Sequence, residues 1–150
     1  MPRRSQSSLR KPILSRRAAT MTDQELIAQF ESGSLPPTAF HHADHVRMVF
    51  AYLRQYPVLE ALERFSTALQ CFATSQGKPN LYHQTITWAY LLLIHERIAR
   101  AGQTQSWEEF SQANPDLLTW KNGILTRYYA EETLQSDLAR RVFIFPDRCA

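Results

Sequence analysis

Three of the five histidines in this 150-residue chain, His41, His42 and His45, lie within five residues of one another. In a helix, which turns roughly 100° per residue, His42 falls at the centre of an apolar stripe and His45 lies about 60° to one side of it. Both side chains are therefore expected to point to the interior, one turn apart, whereas His41 lies further off the stripe. Two inward histidines at this spacing can converge on one point, as a metal or a substrate requires.

A second group of polar residues opens a later helix, at 82–87 (YHQTIT). On this helix His83 and Thr87 share one face with Tyr90 and Arg97, although most of the helix circumference is apolar. Each buried polar group without a partner would cost roughly 1–3 kcal/mol, so these side chains are expected to find partners. The natural partners are the histidines of the first group, if the two helices are neighbours.

The two groups together predict a three-histidine site made of His42, His45 and His83. Three neutral imidazoles with an open fourth position are the ligands of catalytic zinc, and they also suit iron and other divalent metals. Such a metal could generate a hydroxide or polarise a carbonyl of a small-molecule substrate. Catalytic roles are then expected for His83, Tyr82 and Thr87. Thr85 and Arg97 would either hold the ligating side chains in place or help to orient the substrate.

Two other interpretations fit the same residues. The first is a metal-free polar pocket in which His83 acts as a general base or anchors a ligand. The second is a non-catalytic ligand-binding or interaction module whose histidines form a structural hydrogen-bond network, because HxxH alone is a weak motif and histidines near a helix start often cap it. The chain has no glycine-rich phosphate loop, GxSxG elbow or CxxC motif, which disfavours nucleotide-dependent and serine-hydrolase chemistry.

The elements that must position these residues are predicted to be helices. Apolar residues recur every three or four positions, and the clearest stripe is Val58, Leu62, Phe65, Leu69 and Phe72. Prolines and glycines separate the helical segments, of which the two that carry the histidines are expected at about 42–55 and 81–101. We therefore expect an all-α fold, a single-domain bundle of five to six helices with an extended C-terminal segment at 142–147.

Charge is distributed unevenly along the chain. Residues 1–20 have six basic and no acidic side chains, whereas the other 130 residues have eleven basic and fourteen acidic ones. We expect 1–20 to be a disordered basic extension, with Met21 as a natural start, ahead of a helical domain at 21–150. The folded domain is not expected to bind nucleic acid. Arg140 and Arg141 are expected to be surface residues, with binding of an anion as the alternative.

The longest apolar run, 88–94, has seven residues, and a bilayer-spanning helix needs about 20. The two cysteines, Cys71 and Cys149, do not make a disulfide framework. These features predict a cytoplasmic protein without a membrane partner.

Both polar groups resemble the signatures of a family of small, uncharacterised bacterial all-helical proteins. Residues 40–47 (FHHADHVR) are similar to its F-x-H-x-x-H-[LV]-R segment, 82–87 to its Y-H-E-T-x-T segment, and 128–147 to its closing pattern. The resemblance implies a one-domain helical fold and the same choice of site residues, but no reaction. Gln84 stands where the family usually has Glu, so a carboxylate that could bind metal or move a proton is missing.

Overall fold

The computed structural model describes residues 21–148 except for 37, 39, 103 and 104. The predicted disordered extension at 1–20 lies outside these residues. Within the described ranges the fold is helical without strands, which confirms the all-α prediction. The α-helices are α1 (Asp23–Glu31), α2 (His42–Gln55), α3 (Val58–Ser75), α4 (Gln84–Ala101), α5 (Trp107–Ala113), α6 (Glu131–Gln135) and α7 (Asp137–Arg141), and short 3₁₀ helices occupy Pro79–Leu81, Pro115–Leu117 and Ile124–Arg127.

Side-chain caps determine where several helices begin. The Thr22 hydroxyl accepts a hydrogen bond from the backbone N–H of Glu25, whose carboxylate accepts one from the Thr22 N–H, so α1 starts with a capping box. At the start of α2 the Asp44 carboxylate accepts from the backbone N–H of His41. Since Asp44 is held at the helix start, it does not contribute to a site between His42 and His45.

Helix α4 is the centre of the bundle and packs against α2, α3 and α7. Leu91 and Ile94 on α4 are fully buried, as are most residues from 46 to 52 on α2. An ion pair at 2.9 Å between Arg47 and Asp23 fastens α2 to α1. The central position of α4 and its contact with α2 agree with the apolar pattern, and they bring the two polar groups together.

The C-terminal segment after α7 is extended, as predicted, and packs on the bundle. The Tyr129 hydroxyl donates to the Ile144 carbonyl at 2.7 Å, and Phe143 stacks on Trp88 with ring centroids 5.6 Å apart. The two five-residue helices that precede it, α6 and α7, were not predicted as separate elements. None of the helices in the described ranges combines the length and apolarity needed to cross a membrane.

Candidate functional site

A cavity of about 580 Å³ is bordered by side chains of α2, α3 and α4. Its walls are mainly apolar and aromatic, and include Val49, Leu69 and Ile94. Every residue that the sequence proposed as a catalytic group or metal ligand lines this one cavity. Its polar lining includes His42, His45, Tyr82, His83, Thr87 and Tyr90, and its mouth includes Gln76, Lys78, Trp120 and Arg140.

Both ring nitrogens of His83 are already engaged. Nδ1 accepts a hydrogen bond at 3.1 Å from the backbone N–H of Ile86 and thereby caps α4. The proton must then sit on Nε2, which donates to the Leu134 carbonyl at 2.6 Å. Burial lowers the pKa of His83, and the nearby Arg140 charge lowers it further. His83 is therefore a neutral structural cap, and it would have to break one of these bonds to bind metal or accept a proton.

His42 has one nitrogen engaged. Its Nε2 donates to the Leu117 carbonyl at 2.8 Å, so in the neutral ring Nδ1 carries a free lone pair. The ring lies edge-on to Tyr90, with centroids 4.9 Å apart, and 5.2 Å from the Trp120 ring. Burial lowers the pKa of His42, so this ring is an uncharged hydrogen-bond acceptor at neutral pH.

His45 has neither nitrogen bonded to any residue that the structure describes. Its ring stacks on Phe40 with centroids 4.0 Å apart and an interplanar angle of 21°. Burial lowers the pKa of His45 to about 4, and the charges that His42 and His41 would carry add to the effect. His45 is therefore neutral, with one donor and one acceptor available in the cavity.

Thr87 and Tyr90 continue this polar lining along α4. Both side chains are buried, and neither hydroxyl has a hydrogen-bond partner within the described ranges. Burial raises the pKa of Tyr90 to about 12, so its hydroxyl keeps its proton and can donate. The Tyr90 hydroxyl also lies against Gly123, where a Cβ would come within 2.9 Å of it. Gly123 thus leaves the space that the Tyr90 hydroxyl needs.

Thr85 and Arg97 are not among the residues that line the cavity, so neither contacts its interior directly. The buried Thr85 hydroxyl lies 2.7 Å from the Ala139 carbonyl and 2.8 Å from the Val142 carbonyl, and it accepts from the Ile144 N–H at 3.1 Å. It anchors the C-terminal segment to α4. Arg97 instead forms an ion pair with Asp116 at 2.8 Å, so both side chains have structural partners.

Tyr82 borders the cavity, but its hydroxyl donates to the side-chain oxygen of Gln84. Gln84, which stands where the resembled family usually has Glu, is not among the lining residues. The carboxylate that the sequence lacks would therefore meet the Tyr82 hydroxyl instead of entering the cavity.

Metal binding by His42, His45 and His83 stays a prediction. Across the part of the chain that the structure describes, no group of three His, Cys, Asp or Glu side chains is arranged to hold a metal ion. Among the described residues, His42 and His45 each have at least one ring nitrogen without a hydrogen-bond partner, whereas both nitrogens of His83 are bonded.

Sequence reasoning did not connect the residues at the mouth with the cavity. Arg140 was expected on the surface, with anion binding as the alternative; it is only partly exposed, lines the cavity and donates to the Asn80 carbonyl. Lys78 and Trp120 also border the cavity. These three residues come from distant parts of the chain, and no local pattern could have joined them.

No family model matches the chain, and neither does any curated protein or solved structure. The resemblance to a bacterial family therefore rests on the sequence motifs, and function has to be argued from the cavity.

Proposed function

We propose that this protein binds a small, mainly apolar organic molecule in the cavity between α2, α3 and α4, with neutral side chains as its polar contacts. The observation that carries the proposal is that His45, Thr87 and Tyr90 line the cavity without a hydrogen-bond partner in the described chain. A small-molecule site typically presents a few convergent polar groups within mainly apolar walls. A ligand with matching donors and acceptors would form the hydrogen bonds with these side chains that the described chain does not supply.

The size and composition of the cavity support the same proposal. Small-molecule sites typically enclose roughly 300–1,000 Å³, with apolar walls and a few convergent polar groups. The volume of about 580 Å³ falls in this range, and the polar groups are the two histidines of α2 and the Thr87 and Tyr90 hydroxyls of α4. The free lone pair of His42 adds an acceptor beside Tyr90.

A fluorescent apolar probe tests the proposal. We expect N-phenyl-1-naphthylamine to bind the full chain saturably at one site, with increased fluorescence. Leu69→Trp, which fills the cavity from α3, should abolish this binding. The control is Leu59→Trp on the same helix, where the side chain is 76% exposed and does not line the cavity. Absence of binding to the wild type, or equal binding to Leu69→Trp, would contradict the proposal.

Metal binding is the second candidate function, because His42 and His45 border one cavity and each has a free nitrogen. Elemental mass spectrometry of the full chain, purified without a histidine tag, tests it beside a folded His45→Ala variant. Near-stoichiometric zinc or iron that is lost in the variant would favour the metal. A metal-free protein that stays metal-free after reconstitution would exclude this candidate.

A further inference from the structure

Two cationic residues, Lys78 and Arg140, line the mouth of the cavity. Lys78 precedes the 3₁₀ turn Pro79–Leu81, and Arg140 comes from α7. Both residues, with Leu81, line the cavity and also a shallow recess beside it, so the recess and the cavity share one rim. The Arg140 guanidinium is held at this rim by its hydrogen bond to the Asn80 carbonyl.

This pair of cations has no carboxylate partner in the described chain, unlike most arginines of the bundle. Lys78 and Arg140 form no ion pair within 4.0 Å, and the one acidic residue of the recess, Asp137, pairs with neither of them. The arginines that do pair with carboxylates are Arg47, Arg54, Arg64, Arg97 and Arg100. In a domain with more acidic than basic residues, the rim is a local positive site that the fold leaves open.

Within the described chain, Lys78 and Arg140 are the only lysine and arginine that line the cavity, so its interior has no cation to balance an acid. His42, His45 and His83 are all held neutral by burial. An ionised group placed among them would lose its hydration without a compensating charge, which is costly. A charged group on a ligand would therefore be stabilised at the rim, where guanidinium and ammonium groups form charge-assisted hydrogen bonds with carboxylates and phosphates.

We propose that the ligand of the cavity is an amphipathic organic anion, whose apolar body fills the cavity and whose carboxylate or phosphate lies between Lys78 and Arg140. This inference rests on the proposed binding function and adds the chemical class of the ligand. The interior groups His45, Thr87 and Tyr90 then contact an uncharged polar atom of the same molecule.

Displacement of N-phenyl-1-naphthylamine by ligands of equal chain length tests the inference. The competitors are octanoate, octyl phosphate, 1-octanol and octylamine, titrated into the full chain. We expect at least one of the two anions to displace the probe at a lower concentration than octylamine. In Lys78→Met/Arg140→Met the affinity of that anion relative to 1-octanol should fall by about fivefold or more.

The control double variant is Lys121→Met/Arg141→Met, which removes the same two charges from exposed positions that do not line the cavity. It should leave the anion-to-alcohol ratio unchanged. The proposal that the ligand is an anion would be overturned if Lys78→Met/Arg140→Met did not lower the anion-to-alcohol affinity ratio, or if the control variant lowered that ratio equally. In either case the proposed binding of an apolar molecule would still stand, because the probe itself binds. If the probe itself does not bind the wild type, the proposed function fails and this inference fails with it.

Discussion

Two faces of α4 carry polar residues in opposite states. On one face, the Thr85 hydroxyl is bonded to the backbone of the C-terminal segment, at Ala139, Val142 and Ile144. On the other face, Thr87 and Tyr90 border the cavity and have no hydrogen-bond partner in the described chain. His83, the N-cap of α4, lines the same cavity, but both of its ring nitrogens are bonded to backbone groups. Polar residue types alone therefore do not identify a site, because here only those without partners are available to a ligand.

The largest expected effect separates the two threonines. Thr85→Val should lower the free energy of unfolding by about 3–4 kcal/mol, because it removes the acceptor of the Ile144 N–H and the one donor that the Ala139 and Val142 carbonyls share. Thr87→Val should change it by less than about 0.5 kcal/mol, since no hydrogen bond is lost. Urea unfolding of both variants measures the difference, and equal losses would remove the distinction between the two faces.

A second expected effect is a loss of stability in acid caused by His45. Above pH 6.5 the His45 ring is neutral in both the folded and the unfolded state. Between pH 6.5 and about 4 the ring is protonated in the unfolded chain but stays neutral in the folded chain. The free energy of unfolding should fall across this window, by at most about 3 kcal/mol from this residue. The lowered pKa values of His42 and His83 act in the same direction. His45→Leu should reduce the dependence of the free energy of unfolding on pH in this range. An unchanged dependence would contradict a neutral His45 ring in the folded state.

Two of the buried tyrosines, Tyr129 and Tyr90, offer a smaller, matched comparison. Tyr129→Phe should cost about 1 kcal/mol, because it removes the 2.7 Å bond to the Ile144 carbonyl. Tyr90→Phe should leave stability almost unchanged but weaken any ligand that bonds to its hydroxyl. Thermal unfolding and probe titration of both variants check this, and a larger stability loss for Tyr90→Phe would reveal a partner that the account omits.

The smallest expected effect concerns the departure from the resembled family. Gln84→Glu should stabilise the fold by about 0.5 kcal/mol, since a carboxylate at the first position of α4 interacts favourably with the helix N-terminus and accepts strongly from the Tyr82 hydroxyl. Probe affinity should stay the same because residue 84 does not line the cavity. A large gain in affinity or in bound metal would instead place this residue in the site.

Much of the fold could be predicted because its signals are local. The three- and four-residue spacing of apolar residues located α2, α3 and α4. Helical geometry also predicted that His42 and His45 point to the interior, and both residues line the cavity. The roles of 82–87 could not be predicted in the same way. The partner of His83 is 51 residues further along the chain, and the path of that segment depends on packing that no short pattern records.

The residues at the mouth of the cavity could not be predicted for the same reason. Arg140 and Arg141 are adjacent in sequence and alike in type, yet only Arg140 borders the cavity. Which of the two faces inward depends on how α7 docks on α4, a contact between residues far apart in the chain.

The most direct test of the account is a long-range ¹H–¹⁵N spectrum of the histidine rings, recorded with and without N-phenyl-1-naphthylamine. We expect His83 to be neutral with its proton on Nε2 and to keep that tautomer when the probe binds, whereas the His45 signals shift. A change of tautomer or protonation state at His83, with the His45 signals unchanged, would contradict the assignment of His83 as a structural cap and of His45 as a ligand contact.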